Sequence, residues 1–330
     1  MRVVLDVEGG DHAPGPCLEG AELALAQDPG LELVLVGLPE HVQGLGAGLA
    51  ERYPGRAIGH AATQVIGMDE HPAEAVRNKP DSSLVVSAKL VKEGEAEGFF
   101  SAGSSGACMA AATLYTGRIK GVSRPAIAAI LPGRKGPVVL ADVGANADVN
   151  PEYLLQFAYM TKAYAEAVLG ITEPRVGLVN IGAEDTKGSQ LAKEAYACLK
   201  QGFAGFAGNA EGHDILSGAF DCVVTDGFTG NVILKTIEGV STLFFSELKE
   251  MLGANLRSKL AAALAMPGLR GIKERFSAEA VGGAPLLGVQ GSCLVGHGSS
   301  SAQAIANGIA ATAKAARAGL PALIAQAIEP

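Results

Sequence analysis

Short apolar runs recur along this chain, and each ends in Gly and small polar or charged residues before a helix-like segment begins. The runs with strand character are Arg2–Val7, Glu32–Val36, Glu97–Ser101, Ala126–Leu131, Val138–Asp142, Val176–Ile181, Phe203–Ala207, Cys222–Thr225 and Ser292–Val295. Helical segments separate most of these runs, which indicates βα units. The pattern predicts a largely parallel, doubly wound α/β sheet with helices on both faces.

Six of the loops that follow these runs share one chemistry. They combine Gly with Ser, Asn, Asp, Lys or His and lie within Leu5–Pro14, Phe99–Met109, Val138–Glu152, Val176–Leu191, Val223–Lys235 and Cys293–Ile305. In a parallel sheet such loops lie at the carboxyl edge, where ligands bind, and the free N–H groups of the helix starts suit an anion. We therefore expect one composite pocket for a phosphate-like ligand.

Two helical features stand out from this rhythm. Asn150, Pro151 and Glu152 form a good helix start, and the helix should run to about Leu169. Further on, leucines recur every four residues, with basic residues at their margins. These residues are Leu252, Leu256, Leu260 and Leu264, with Arg257 and Lys259 beside them. Pro267-Gly268 predicts a break, so we expect an amphipathic, basic helical hairpin at 249–276, protruding from a single domain of 1–330.

Charge gives this hairpin a candidate role. Residues 249–275 contain six basic and two acidic side chains, a net 6 − 2 = +4, whereas the whole chain carries −8. Basic residues beside an apolar stripe favour contact with an anionic surface. A core helix or a dimer interface is the alternative interpretation of a leucine stripe.

Composition excludes several classes of protein. Apolar residues make up 48% of the 330 residues and the mean hydropathy is +0.25, enough for a sizeable core, but no apolar stretch reaches membrane-spanning length. Acidic Asp6 and Glu8 argue against a signal peptide, so a soluble or peripheral protein is expected. The negative charge argues against nucleic-acid binding. Five cysteines without CxxC or zinc spacing indicate reduced thiols in the cytoplasm.

Common catalytic signatures are missing from the sequence. There is no GxxxxGK[ST] phosphate loop, no GxGxxG after a strand and no GxSxG elbow. The pocket therefore has no obvious nucleophilic serine. Cys108, near a helix start, is either an activated thiolate or a small core residue, and its apolar neighbours favour the core.

Several loops nevertheless contain groups suited to an anion or an oxyanion. Gly103-Ser104-Ser105-Gly106 opens a helix after a strand, and Gly298–Ser301 repeats this chemistry after His297. Asp11 follows Gly9 and Gly10 and can orient His12. An ordinary serine cap and a surface histidine are the alternatives.

Two further loops contain candidate electrophiles. Lys187 can stabilise a phosphate or a developing oxyanion, Asn231 can donate to the same oxygen, and Lys235 lies one turn further on. For Lys187 a solvated surface charge is the alternative. Phosphate attack on a thioester needs an anion cradle, an oxyanion site and close placement, and no covalent nucleophile.

Taken together, these motifs resemble the PlsX family of phosphate acyltransferases. The matching segments are GGDHAP, SAGSSGA, GRIKGVSRPA (Gly117–Ala126), DVGANAD, NIGAEDTKG, VTDGFTGN and HGSS, in register from Met1 to about Ala316. The chain departs from the family at Val7-Glu8, where Ala-Met is usual, at Ser104-Ser105, where Asn-Thr is usual, and at Cys108, where an aliphatic residue is usual.

The resemblance implies that acyl-ACP reacts with phosphate to give acyl phosphate and free ACP, the first step toward phosphatidic acid. It also implies a homodimer, peripheral membrane association, no metal or cofactor, and a fold like that of isocitrate and isopropylmalate dehydrogenases and of phosphotransacetylases. The expected partners are acyl carrier protein, inorganic phosphate, the anionic membrane surface and a downstream membrane glycerol-phosphate acyltransferase.

We assign chemical roles on this basis. The Gly103–Gly106 loop is assigned to phosphate, Lys187 and Asn231 to the carbonyl oxygen, and His12, oriented by Asp11, to a proton or to phosphate. The remaining residues expected to bind phosphate or substrate are Gly9, Gly10, Asn146, Asp185, Asp226, Lys235, His297 and Ser299. The hairpin is expected to contact anionic membrane or acyl carrier protein.

Other functions stay open at this point. A phosphotransacetylase-like enzyme would use acyl-CoA and need a nucleotide pocket. A metal-dependent decarboxylating dehydrogenase would need NAD and clustered Asp ligands. A non-catalytic membrane scaffold would use only the basic hairpin.

Overall fold

The computed structural model describes residues 1–276 and 282–329, which form one eleven-stranded sheet with helices packed on it. The strands are β1 (Arg2–Asp6), β2 (Glu32–Gly37), β3 (Ala57–Ala61), β4 (Gly98–Ser101), β5 (Ala126–Pro132), β6 (Pro137–Ala141), β7 (Val176–Val179), β8 (Phe206–Ala210), β9 (Cys222–Val224), β10 (Ala284–Leu287) and β11 (Cys293–Val295). The helices are α1 (Gly15–Gln27), α2 (Ala47–Arg52), α3 (Pro72–Asn78), α4 (Ser83–Lys92), α5 (Ser105–Ala111), α6 (Pro151–Ala167), α7 (Gln190–Gly202), α8 (Gly227–Gly253), α9 (Leu256–Phe276), α10 (Ala302–Arg317) and α11 (Leu320–Ile328). Two π-helical segments, Glu40–Leu45 and Ala112–Thr116, lie before α2 and after α5.

The sheet consists of two parallel halves that run in opposite directions. Its strand order is β3-β2-β1-β4-β11-β10-β5-β6-β9-β7-β8. In the first half, β3, β2, β1, β4 and β11 are parallel to one another. In the second half, β6, β9, β7 and β8 are parallel to one another. Between them, β10 and β5 make three antiparallel pairings. The prediction of a largely parallel α/β sheet is confirmed, but its two halves present their carboxyl edges on opposite sides.

Each of the nine strand-like runs overlaps a strand, although the run Phe203–Ala207 begins three residues before β8 and shares only two residues with it, and two strands were not predicted. Strand β3 has one buried and four exposed residues, so it lacks an apolar run. Strand β10 has only four residues and includes Pro285, and a proline in a short run argues against a strand.

Helices cover both faces of the sheet, as a doubly wound fold requires. Around the first half, α1 and α10 pack on one face, while α4 and α5 pack on the other. Around the second half, α6, α7 and α11 bury Phe157 and Met160 against the strands. Each such fully buried side chain contributes about 1.5–3 kcal/mol.

Helix α6 begins as the sequence predicts. The Asn150 side chain accepts a hydrogen bond from Tyr153 N at 2.9 Å, and Pro151 occupies the first helical position. The helix ends at Ala167, two residues before the predicted end.

The predicted hairpin is longer than expected and turns at a different place. Helix α8 has 27 residues, and α9 follows after a turn at Ala254 and Asn255. The Asn255 side chain accepts from Ser258 N at 3.0 Å and caps α9. The predicted break at Pro267-Gly268 is wrong, because α9 continues through both residues. The Leu256 side chain lies outside the described residues.

Among the described helices, none combines the length and the apolar character needed to cross a membrane.

Candidate active site

The first cluster of candidate residues forms where β1, β4 and β11 end. Asp11 N donates to Gly298 O at 2.7 Å, which joins the first loop to the last. A Cβ on Gly9 would lie 2.7 Å from Ser101 Oγ and 2.9 Å from Gly103 N, so only glycine permits this approach. Gly10 has a φ of +119°, which also favours glycine. The structure therefore brings Gly9, Gly10 and Gly103 together as expected.

A buried pair beneath this cluster was not predicted. Ser101 Oγ donates to Asp6 Oδ2 at 2.7 Å and accepts from Gly103 N at 3.1 Å. Glu8 N donates to the other Asp6 oxygen at 3.2 Å. Burial raises the pKa of Asp6 above its ordinary value, while its hydrogen bonds oppose that shift. The pair fixes the backbone from which the Gly103–Gly106 loop starts.

The Gly103–Gly106 loop has free groups that suit an anion. Ser104 precedes the first turn of α5, and its hydroxyl makes no cap hydrogen bond. Ser105 and Gly106 are exposed. On the neighbouring loop, His297 Nδ1 and Ser299 Oγ lie 2.9 Å apart, so these two predicted residues do meet.

The expected Asp11–His12 pair is not formed within the described contacts. Both residues are exposed, and no hydrogen bond joins their side chains. The Asp11 carboxylate lies against Gly298 instead, where a Cβ would be 2.8 Å from Asp11 Oδ1. Asp11 thus helps to set the loop after β11, and nothing in this geometry orients His12.

A second cluster is built around Asp142, which follows β6 and is completely buried. Its carboxylate accepts five N–H hydrogen bonds of 2.6–3.3 Å, from the backbone of Ile127, Gly144, Ala145 and Asn146 and from Asn146 Nδ2. Burial raises the pKa of Asp142, and these donors oppose the shift. Asp142 was not among the predicted site residues, although it ends an apolar strand before a Gly-containing loop.

Asn146 and Asp226 have structural roles in this second cluster. Asn146 Nδ2 also donates to Pro125 O at 2.8 Å, and Asn146 O accepts from Gly227 N at 2.7 Å. The Asp226 carboxylate accepts from the backbone and hydroxyl of Thr229, both at 2.8 Å, and so caps α8. A Cβ on Gly230 would overlap the carbonyl oxygen of Asp142. These contacts fix the start of α8 against the loop after β6.

Lys187 and Asn231 are two polar residues at this edge with no described side-chain partner. Both are exposed, and within the part of the chain that the structure describes no side-chain partner engages either one. The Lys187 loop is held from beneath, because Asn180 Nδ2 donates to Lys187 O at 3.2 Å and Asn209 Nδ2 donates to Glu184 O at 2.8 Å. A free ammonium on an anchored loop can meet a developing negative charge.

The other two polar candidates of these loops differ from Lys187. Lys235 pairs with Glu238 at 2.7 Å, so its charge is already balanced. Asp185 is exposed beside Lys187 and engages no partner in the described chain.

The expectation of one carboxyl edge for all six loops is wrong. Strand direction puts the loops after β1, β4 and β11 at one edge and the loops after β6, β7 and β9 at the opposite edge, because β5 runs in the same direction as β11 and the antiparallel β5–β6 hairpin reverses the sheet. No hydrogen bond between the two clusters occurs among the described residues. The Gly103–Gly106 loop and Lys187 therefore belong to separate groups.

Comparison with known proteins places the chain in a family. The model of the family described as "Fatty acid synthesis protein" matches residues 1–323. The chain belongs to this family. It is 49% identical over 311 residues to a phosphate acyltransferase of Desulfitobacterium hafniense, covering 94% of this chain and 92% of that protein. A phosphate acyltransferase of Heliobacterium modesticaldum is 48% identical over 309 residues, with the same coverage. These matches confirm the resemblance to the PlsX family.

Solved structures in turn confirm the fold of this family member. A phosphotransacetylase from Streptococcus pyogenes superposes with a TM-score of 0.61 at 18% identity, covering 96% of this chain and 94% of that one. A branched-chain phosphotransacylase from Enterococcus faecalis gives 0.60 at 14% identity, with 96% and 99% covered. Identities this low support the fold alone, and the predicted likeness to phosphotransacetylases holds at that level.

Two arginines at the second edge were not among the predicted site residues. Arg118 and Arg124 line an open cavity of about 560 Å³ beside Pro125 and Tyr153. Their segment, GRIKGVSRPA, contributed to the family resemblance, but none of its residues entered the predicted site. The signal was available, because two arginines follow a helix near a strand start without an acidic residue between them.

Proposed function

We propose that this chain transfers a fatty acyl group from acyl carrier protein to inorganic phosphate, which gives acyl phosphate for phospholipid synthesis. The relatives are phosphate acyltransferases, which confirms the predicted class of enzyme, an acyltransferase that uses phosphate. The carrier protein as donor and the route to phosphatidic acid rest on the family resemblance of the motifs.

In the proposed reaction a phosphate oxygen attacks the thioester carbonyl directly. An O–C bond forms, the C–S bond breaks, and the carrier leaves as a thiolate that takes up a proton. The observation that supports this mechanism best is the pair of unpartnered groups, Lys187 and Asn231, on anchored backbone at one edge of the sheet. Donors of this kind stabilise the oxyanion that forms during acyl transfer.

The cysteines support direct attack. Cys108 is completely buried, and burial raises its pKa to about 12. Burial likewise raises the pKa of Cys17 far above its ordinary range. A buried thiol is not a nucleophile at neutral pH, so the core interpretation of Cys108 is the better one. An acyl group trapped on Cys108 during turnover would contradict direct attack.

The test is formation of acyl phosphate by the purified chain. Acyl carrier protein and coenzyme A carrying the same acyl group are compared as donors, each with and without radiolabelled phosphate, and the labelled acyl phosphate is extracted and counted. A higher kcat/KM with the carrier protein supports the proposal. A higher value with coenzyme A supports the phosphotransacetylase-like alternative, and no product with either donor leaves a non-catalytic scaffold.

We also propose that the protein is a cytoplasmic homodimer that associates peripherally with anionic membrane. Several apolar side chains on α8 and α9 are exposed. They are Val240, Leu243, Phe244, Met251, Leu260, Leu264, Met266 and Ile272. Arg257 and Lys259 are exposed near the turn of the hairpin. Apolar surface of this kind marks contact with a protein or a membrane. Acyl carrier protein at the hairpin remains the alternative partner.

A further inference from the structure

The position of the attacking phosphate is constrained by the two edges of the sheet. An attacking oxygen must lie in contact with the carbonyl carbon. With the carbonyl at Lys187 and Asn231, phosphate must bind at the second edge. The Gly103–Gly106 loop lies at the first edge, where α5 begins. Helix α5 has 7 residues and leads away from that edge, which at 1.5 Å per residue is about 10 Å.

The cavity at Arg118 and Arg124 lies at the correct edge. This open cavity is lined by Thr113 and Leu114 of the segment Ala112–Thr116, by the loop before β5 and by Tyr153 in the first turn of α6. Its volume, about 560 Å³, lies within the usual range for small-ligand sites. Thr113 and Ser123 add hydroxyl groups to its lining.

The charge of this cavity is unbalanced. Arg118 and Arg124 are exposed, and across residues 1–276 and 282–329 no carboxylate forms an ion pair with either one. Arg118 Nη1 donates to Ser123 O at 2.6 Å, which holds one arm of the loop and leaves further N–H groups free. The segment 117–126 carries three basic and no acidic residues, on a chain of −8. The planar guanidinium group suits bidentate binding of phosphate.

Hydrogen bonds connect this cavity to the proposed oxyanion site. Pro125 lines the cavity, and its carbonyl accepts from Asn146 Nδ2 at 2.8 Å. Asn146 O accepts from Gly227 N at 2.7 Å, in the first turn of α8. Asn231 lies four residues further along that helix, about 6 Å on. The cavity and Asn231 are thus joined through one loop.

We propose that Arg118 and Arg124 bind the inorganic phosphate that attacks the thioester. This inference rests on the proposed function, and it replaces the Gly103–Gly106 loop as the site of the nucleophile. The two arginines hold the phosphate by charge and hydrogen bonds and form no covalent bond to it. The transfer still forms one O–C bond and breaks one C–S bond. A second phosphate source exists in the phosphodiester of the carrier's pantetheine arm, and the test must separate the two.

The first experiment measures phosphate binding without turnover. Inorganic phosphate should raise the Tm of the wild-type chain, because a ligand that binds the folded state stabilises it. Arg124→Gln, which removes no hydrogen bond found among the described residues, should bind phosphate about tenfold more weakly or worse and lose the shift. Lys120→Gln, in the same loop but outside the cavity lining, should keep it. If Arg124→Gln misfolds, Arg118→Gln is measured in its place.

The second experiment measures steady-state kinetics with acyl carrier protein as donor. Arg124→Gln should raise KM for phosphate about tenfold and leave KM for the acyl carrier protein unchanged. A rise only in the carrier's KM would mean that the arginines hold the pantetheine phosphodiester, and the inference would be wrong.

Two other results would also overturn the assignment. One is the absence of a phosphate-induced shift in the wild type. The other is a shift that Ser104→Ala with Ser105→Ala abolishes and Arg124→Gln preserves. A wild-type chain that makes no acyl phosphate at all is a failure of the proposed function instead, and it is visible without any variant.

Discussion

Gly230 links the two loops that form the second edge of the sheet. Its Cα approaches the backbone of Asp142 so closely that an alanine Cβ would overlap the Asp142 carbonyl oxygen. Gly230→Ala should therefore destabilise the protein by about 1–3 kcal/mol, the usual cost of overpacking. Gly239→Ala, in the same helix with open space at its Cβ, should instead add up to about 1 kcal/mol. Urea unfolding of both variants measures this difference, and equal effects would contradict the close approach.

Lys187 tests the oxyanion assignment at the level of one charge. Loss of one oxyanion donor typically lowers kcat by about 10²–10³, so Lys187→Ala should lose that much activity while unfolding at the same urea concentration. Lys193→Ala is the matched control, since this exposed lysine lies in the next helix. A near-normal kcat in Lys187→Ala would identify Lys187 as a solvated surface charge.

The buried Asp6 makes a prediction about pH. Burial raises the pKa of Asp6 in the folded state above its ordinary value of 3.8. The contribution of the protonated Asp6 carboxyl to the free energy of unfolding is therefore complete below pH 3.8 and is lost as the pH rises through the folded-state pKa. Asparagine is uncharged at every pH. Relative to the wild type, Asp6→Asn should therefore gain stability between about pH 4 and about pH 7. Urea unfolding at both pH values measures the change, and a constant difference would show that Asp6 keeps an ordinary pKa.

The sequence identifies which residue types occupy the loops, and it does not distinguish a ligand contact from a structural one. Asp226 was expected to contact substrate, yet it caps α8. Asn146 likewise donates to Pro125 and Asp142. Both functions use the same polar groups, and only the partner atoms separate them. Lys187 and Asn231 remain candidates because no side chain in the described part of the chain engages them.

At the scale of elements, the hairpin of α8 and α9 gives the clearest test of membrane contact. Leu260 and Leu264 are 61% and 87% exposed, within three turns of the hairpin tip. Leu260→Glu with Leu264→Glu should release the protein from anionic vesicles, because each places a charge where apolar side chains would enter the lipid. Leu23→Glu with Leu323→Glu adds the same charge on other exposed leucines and should not change binding.

The outcome of this comparison is decisive for the hairpin. Vesicle sedimentation reports lipid binding, and KM for acyl carrier protein reports the alternative partner. Unchanged vesicle binding with a raised carrier KM would assign the hairpin to the carrier. If the double variant unfolds, Leu260 and Leu264 support the fold and do not contact a membrane.

Element boundaries in this hairpin also show the limit of local sequence patterns. Proline and glycine together usually end a helix, yet α9 passes through Pro267 and Gly268. The actual turn lies at Ala254 and Asn255, where Asn255 caps α9. Caps with a matching side chain, such as Asn150 before α6, were predictable because their signal is contained in a few consecutive residues.

At the scale of the whole molecule, the direction of the strands decides where the loops lie. The alternation of strand and helix gives a parallel sheet by default, but β5 and β6 are joined by only four residues, 133–136, too few for a parallel crossover, and they form an antiparallel hairpin. Strand β10 is antiparallel to both of its neighbours and leaves β11 and β5 parallel, so the β5–β6 hairpin separates the six polar loops into two groups. The prediction of fold class survived it, whereas the prediction of one shared edge did not.

The exposed middle of α8 supports the expected homodimer. Leu243 and Phe244, in the middle of α8, are 61% and 60% exposed, which is costly for a free monomer and typical of an interface. The wild-type chain should sediment as a species of 2 × 33.4 = 66.8 kDa. Leu243→Glu with Phe244→Glu should shift it to 33.4 kDa, because buried charges without partners oppose association. Leu260→Glu with Leu264→Glu, closer to the tip, should remain dimeric. Dissociation by the tip variant alone would move the interface to α9 and remove the case for a membrane-facing tip.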